Sequence, residues 1–317
     1  MRRESISSIT IVGGDISAWA AAAWLANSLK RLDIKITVLE LPDMVNAEPM
    51  QYTAPQTLQY FEPPGIDITR LINITGATYR LGTGLHRLQS EREHRILPFG
   101  NSGADIGLVH FHHFITRSLL HEQKISLNEH SPTAMAARAG KFYGRASEPS
   151  MPKLAYGLNF NTQKLTRLLS DNATINGVGI VRARLKSAQR NTENGRIESL
   201  LLEDGTSLSA DLFIDCSGEA ALLIGEALEV EFVDWSQHLP ASRSIAVTAK
   251  TDHNSIPVHH CTATDDGWFL STPLQHRTAC QFRYSPEHVS DEVAATHVER
   301  FVGELGPEAL ALSNLRS

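Results

Sequence analysis

The chain has 317 residues, 42% of them hydrophobic and 20% charged, with a formal net charge of −6. That length carries one large or two modest domains with a real core, and the composition is that of an ordinary globule. The acidic balance gives no footprint for nucleic acid, no apolar run approaches a membrane span, and Cys216, Cys261 and Cys280 have neither paired nor metal-ligand spacing.

In chain order, the apolar run at residues 9–12 predicts a buried strand. It begins within about ten residues of the start, which leaves no room for a signal peptide. With cysteine usage that suits a reducing compartment, this predicts a cytoplasmic protein. Gly13 and Gly14 break the strand, the Ala-rich residues 18–29 predict a helix, and residues 34–40 predict a second strand ending in Glu40. Strand, glycine turn, helix, strand and acid make the opening βαβ unit of a dinucleotide fold. Such a fold holds pyrophosphate at the helix N-terminus and ribose on the acid. The fingerprint Gly-x-Gly-x-x-Gly reads here Gly13-Gly14-Asp15-Ile16-Ser17-Ala18. Ala18 satisfies a position that needs only close helix–strand packing. Asp15 brings a carboxylate to an anion site, and two like charges about 4 Å apart repel by roughly 4 kcal/mol at a surface-like dielectric.

Residues 53–61 predict a short helix after Pro55, and Gly65 and Asp67 open another toward Ile74. Residues 76–99 read as strands, 111–120 and 162–169 as helices, and the Ala/Ser/Pro/Gly-rich residues 131–150 as a loop. Residues 196–202 alternate into Asp204-Gly205, a hairpin turn. Residues 210–218 read as a buried strand that ends in Asp215-Cys216-Ser217-Gly218. That small-residue turn is either the return of the chain to the dinucleotide sheet or a plain loop. Residues 241–285 alternate as strands of a second, antiparallel layer, and 290–303 predict a helix.

Other reactive side chains point to simpler roles. His110, His112 and His113 lack a Cys or carboxylate partner at ligand spacing, so no metal site is expected. His259 and His260 read as a solvated loop. Ser217 follows Asp215 but lacks a nucleophile elbow. Trp24, on the first helix, reads as core.

The motifs together resemble the flavin-dependent tryptophan halogenases, nearly end to end. Gly13-Gly14-Asp15-Ile16-Ser17-Ala18-Trp19 is similar to that family's Gly-Gly-Gly-Thr-Ala-Gly-Trp. Thr53-Ala54-Pro55-Gln56, Gly76-Ala77-Thr78-Tyr79-Arg80-Leu81-Gly82 and Pro98-Phe99-Gly100 with Phe111-His112-His113 follow in order. Then come residues 211–218, Leu222-Leu223-Ile224-Gly225, Asp234-Trp235, Leu239-Pro240, Gly267-Trp268 and Pro273-Leu274-Gln275-His276-Arg277. The resemblance implies an α/β fold: a Rossmann-like FAD-binding domain merged with an antiparallel substrate layer. It implies one domain over residues 1–317, with the dinucleotide sheet from about 1–75 and 160–230 and the substrate layer from about 76–159 and 231–317, and without the family's C-terminal part. It implies FAD, reduced by a separate flavin reductase, oxidation of halide to hypohalous acid, and halogenation of an aromatic, indole-like substrate. Gly13, Gly14, Ile16, Ser17, Ala18 and Glu40, with Asp215 and Gly218, would line the flavin.

The sequence departs from the family at several motif positions. Arg80 stands where the family has its catalytic lysine, in the tunnel between flavin and substrate. A guanidinium is always protonated and is no nucleophile. The family's Trp-x-Trp-x-Ile-Pro block reads Trp268-Phe269-Leu270-Ser271-Thr272-Pro273, and its Tyr-x-x-His-x-Asp block reads Tyr156-Gly157-Leu158-Asn159-Phe160-Asn161. Met50, Gln51 and Tyr52 replace its Gly-Glu-Ser/Ala, and Ser317 precedes the segment carrying its catalytic glutamate. These departures leave three readings: an impaired halogenase, a non-catalytic binding protein on a flavoprotein fold, or an altered flavin-dependent monooxygenase.

Overall fold

A computed structural model of the chain describes residues 6–42, 44, 50–61, 64–88, 94–123, 125–143, 153–251, 255–305 and 313–316. The first elements are β1 (Ser8–Gly13), α1 (Ile16–Ser28) and β2 (Lys35–Glu40). β1 and β2 pair in parallel, from Ser8 opposite Lys35 to Gly13 opposite Glu40. Parallel neighbours need a crossover, and α1 supplies it. Residues 9–13 of β1 are all buried, the near-continuous apolar run of a strand covered on both faces.

Next come β3 (Met50–Tyr52), a 3-10 helix (Pro55–Phe61), α2 (Ile68–Thr75), β4 (Thr78–Arg80), β5 (Gly82–His86) and β6 (His94–Pro98). They are followed by α3 (Phe111–Leu120), α4 (Pro132–Arg138), β7 (Gly157–Asn161) and α5 (Thr162–Ile175). β8 (Gly179–Arg182), β9 (Leu185–Arg190), β10 (Ile197–Leu202), β11 (Ser207–Ser209) and β12 (Leu212–Cys216) complete the middle of the chain. The last elements are β13 (Arg243–Ala249), β14 (His259–Thr264), β15 (Gly267–Pro273), β16 (Thr278–Tyr284), α6 (Asp291–Leu305) and β17 (Ser313–Arg316).

The chain divides into two compact units. The first comprises Met1–Glu48, Gln59–Thr75 and Asn161–Trp235; the second comprises Pro49–Leu58, Gly76–Phe160 and Ser236–Ser317. The first unit holds a parallel sheet ordered β12-β1-β2-β8 and a small sheet ordered β11-β10-β9. Val12, Leu39, Leu200, Leu202 and Leu223 form its buried cluster. The β10–β11 hairpin turns at Gly205, whose φ of 85° suits glycine. The second unit holds a seven-stranded sheet ordered β17-β13-β16-β15-β14-β5-β6 and a small sheet ordered β3-β7-β4. Its main core joins Ile245, Val247, Phe282 and Tyr284 of the sheet to Ala294, Val298 and Val302 of α6. Phe269 stacks between Phe282, at 4.4 Å, and Phe301, at 4.0 Å.

Four expectations need correction. Residues 131–150 were expected to be a loop, yet 132–138 are α4, with Pro132 in its first turn and Ser131 accepting from the Ala134 N–H. Ala134 and Ala137 pack fully buried, so tertiary burial turned an Ala-rich stretch into helix. Residues 144–152 lie outside the described residues. Trp24 was expected in the core, but it is 40% exposed while Trp19 is 1% exposed. His259 and His260 lie in β14 rather than in a solvated loop. The helix expected at 162–169 runs on to Ile175.

Burial sets the scale of the first prediction. Phe160 is fully buried, so Phe160→Ala should destabilise the chain by about 3–5 kcal/mol. Trp24→Ala should cost much less, because Trp24 keeps a large exposed area. Urea midpoints of the two variants check this, and equal shifts would contradict the packing described.

Candidate functional site

The βαβ turn of the first unit brings together the residues expected around a dinucleotide. β1 ends at Gly13, where an added β-carbon would stand 2.4 Å from the Cys216 carbonyl oxygen of β12. Glycine is therefore demanded here by the neighbouring strand. Beside Gly14, an added β-carbon would meet the Leu41 carbonyl oxygen at 3.2 Å. Ile16, Ser17 and Ala18 form the first turn of α1.

Asp15 is the N-cap of α1. Its Oδ1 accepts from the Ser17 N–H at 3.0 Å, the Ala18 N–H at 3.2 Å and the Ser17 hydroxyl at 2.6 Å. Those N–H groups are the free donors with which a helix N-terminus holds an anion. The side chain that looked like an obstacle to an anion therefore takes the anion's place itself. Sequence reasoning recognised the charge of Asp15 but missed its capping role, although Asp followed by an Ala-rich helix is a standard N-cap signal.

The other candidate carboxylates are engaged as well. Glu40 accepts from Arg182 Nε at 2.6 Å, joining the ends of β2 and β8. Asp215 accepts from the Ser217 N–H and hydroxyl on Oδ1 and from the Leu223 and Ile224 N–H groups on Oδ2. Burial pushes its carboxyl up, but these hydrogen bonds outweigh that and hold it below the usual carboxylate range. Gly218 follows with φ of 63°, which lets the chain turn. Ser217 is thus a donor to Asp215 and an acceptor from the Leu222 N–H, not a nucleophile beside a base.

Arg80 lies in the second unit and is 7% exposed. Its Nε donates to the Gly82 carbonyl at 3.3 Å, Nη1 to the Thr53 carbonyl at 3.5 Å and Nη2 to the Thr83 hydroxyl at 2.9 Å. The guanidinium carbon stands 4.4 Å from the Tyr52 ring centre and 5.1 Å from that of Phe99. Two aromatic faces and neutral oxygens thus carry the buried cation, with no carboxylate partner among the described residues. Burial lowers its pKa, the Tyr52 phenol acting weakly against that.

Sequence reasoning missed His259. Its ring lies 5.2 Å from that of Tyr52, and its Nδ1 meets the Thr272 hydroxyl at 2.5 Å. Burial first, then the charges of Arg80, His260 and Arg283, push its pKa down to about 3. No spacing signal connects residues 52, 80 and 259; contacts of the Tyr52 ring with side chains of other strands do. Asn159 donates to the Thr78 hydroxyl at 3.2 Å, and its buried Oδ1 has no partner among the described residues. Asn161 caps α5, accepting from the Lys164 N–H at 3.1 Å.

A family model for tryptophan halogenase matches residues 8–313. The chain belongs to the tryptophan halogenase family. It is 28% identical to the tryptophan 7-halogenase RebH of Lentzea aerocolonigenes, over 98% of this chain and 61% of that protein. Among solved structures, the flavin-dependent halogenase BrvH from Brevundimonas sp. BAL3 superposes with a TM-score of 0.84 at 30% identity, covering 92% of this chain and 59% of BrvH. The halogenase Xcc4156 from Xanthomonas campestris gives 0.88 at 28%, covering 99% and 62%. The chain therefore spans about three-fifths of the length of these halogenases. No described helix is long and apolar enough to cross a membrane.

Two measurements check the geometry. Asp15→Ala should cost about 0.5–2 kcal/mol of stability and Asp15→Gly only a few tenths, because glycine serves well as an N-cap. Equal losses in thermal unfolding would contradict the capping role. His259 titrates near 6.5 when unfolded and about 3 when folded, so between those values the unfolded chain binds the extra proton. Stability is therefore lost as pH falls from about 6.5 toward 3, at up to about 1.4 kcal/mol per pH unit for one such group. His259→Gln should flatten the stability–pH curve in that window, and an unchanged slope would refute the buried neutral imidazole.

Proposed function

We propose that this halogenase-family chain binds FAD through the βαβ turn of its first unit and acts on an aromatic, tryptophan-like substrate. A separate flavin reductase would be its redox partner. Gly13, Gly14, Ile16, Ser17 and Ala18 would face the pyrophosphate, Glu40 the ribose, and Asp215 and Gly218 the far side of the cofactor. The observation that carries this reading is the parallel β12-β1-β2 arrangement, in which Glu40 ends β2 and Asp215 stands one residue before the end of β12, both beside the Gly13 turn. In open parallel sheets, ligands lie at the carboxyl ends of the strands. The residues fit the adenosine end of the cofactor directly. They fit the pyrophosphate only when the Asp15 carboxylate leaves the helix N-terminus that it caps.

Reduced FAD, held by these residues, would supply oxygen activation and halide oxidation. In the second unit, Arg80 is a fixed, protonated donor that can hydrogen-bond an oxidant but cannot attack it, so no halogen–nitrogen bond forms at this position. The Tyr52 and Phe99 rings lie against the guanidinium, and His259 stays neutral beside Tyr52 at ordinary pH. We therefore infer impaired halogenation relative to chains with a lysine at this position. The self-capping of Asp15 favours a second reading, in which the chain is a non-catalytic binding protein on the same fold.

Equilibrium dialysis of oxidised and reduced FAD against the wild-type chain and Asp15→Gly separates the two. Micromolar binding by the wild type, tightened at least tenfold in Asp15→Gly, supports the flavin reading. No binding by either protein at millimolar flavin sinks it and leaves the non-catalytic one.

A further inference from the structure

A second concave site lies on the first unit, away from the βαβ turn residues. It is a groove of about 320 Å³ between α2 and α5. Helical spacing builds it. Arg70 and Ile74 of α2, with Ile66 just before that helix, line one flank, and Lys164, Arg167/Leu168, Asp171/Asn172 and Ile175 make a single stripe of α5 along the other. Asn172 ties the flanks by donating from Nδ2 to the Pro64 carbonyl at 2.9 Å.

The lining has two chemistries. Ile66 and Leu168 are buried in the floor, while Ile74 and Ile175 are 43% and 80% exposed. Against this apolar surface stand Arg70, Lys164 and Arg167, with Asp171 as the one carboxylate of the lining. Among the described residues, none of the three cations has a side-chain ion-pair or hydrogen-bond partner. Three unpaired cations around exposed isoleucines run against the net charge of −6 of the whole chain.

We propose that this groove binds a small amphiphilic anion: an alkyl or aryl body carrying a carboxylate or phosphate head. The arginine forks match an oxyanion with paired N–H donors, and Lys164 adds a point charge. The apolar body lies along Ile66, Leu168 and Ile175. The size selects a small molecule, since pockets for such ligands begin near 300 Å³, whereas a stable protein partner needs about 800 Å² from each side. The stripe from Lys164 to Ile175 spans about 16 Å at 1.5 Å per helical residue, the reach of a medium-length chain.

Isothermal titration of the full 317-residue chain with sodium octanoate, octyl phosphate and neutral octanol tests the proposal. At least one anion should bind, and octanol at least tenfold more weakly. The better anion assigns the head group. Arg70→Gln/Arg167→Gln should weaken anion binding at least tenfold with an unchanged thermal midpoint. Ile175→Asp, at an exposed position that the fold does not need, should weaken it as well. Octanol binding as tightly as the anions, undiminished binding by the double variant, or no heat from either anion at millimolar concentration would overturn the site.

Discussion

The carbonyl of Cys216 comes so near Gly13 that no side chain fits between β12 and the end of β1. That contact locks β1 between two parallel neighbours and brings the carboxyl ends of β1, β2 and β12 into line. The layout of the βαβ turn follows from it. The turn after Gly13 points α1 back along the sheet, the orphan N–H groups of α1 face the strand ends, and Glu40 and Asp215 close the sides. A helix N-terminus in that position needs negative charge, and Asp15 supplies it from within the chain.

The second unit is organised by a different constraint, a buried cation. Arg80 is held by carbonyls, a hydroxyl and two aromatic rings, all neutral. A positive charge in a poorly hydrated place, with no carboxylate partner among the described residues, acts on the buried imidazole of His259. It helps to hold His259 neutral to about pH 3. Family membership and chemistry are thus separate matters here. The chain belongs to the tryptophan halogenase family, and within it Asp15 caps a helix and Arg80 is a buried cation against two rings.

Much of the architecture was legible from residue patterns because those patterns are local. The βαβ opening, the hairpin at Asp204-Gly205, the helix at 111–120, the second-layer strands of 243–284 and the last helix each carry their own periodicity or turn residues. Elements without strong periodicity were lost. α4 was hidden by its Pro and small residues, and the short, half-exposed β8 gave no signal. Trp24 was misplaced because an Ala-rich helix, apolar on several sides, does not reveal which face meets the sheet.

The candidate site divides along the same line. By itself, the sequence singled out Gly13, Asp15, Glu40, Arg80 and Asp215 by their places in motifs, and it determined the charges of the four ionisable ones. Only the tertiary structure decided how those charges are met: Asp15 by the helix it caps, Glu40 by Arg182 from β8, Asp215 by the turn at 222–224, and Arg80 by Tyr52 and Phe99. It alone brought His259 to Tyr52. The physical reason is that compensation of a charge depends on donors, acceptors and ring faces from distant strands, whose approach is set by sheet register and burial rather than by spacing along the chain.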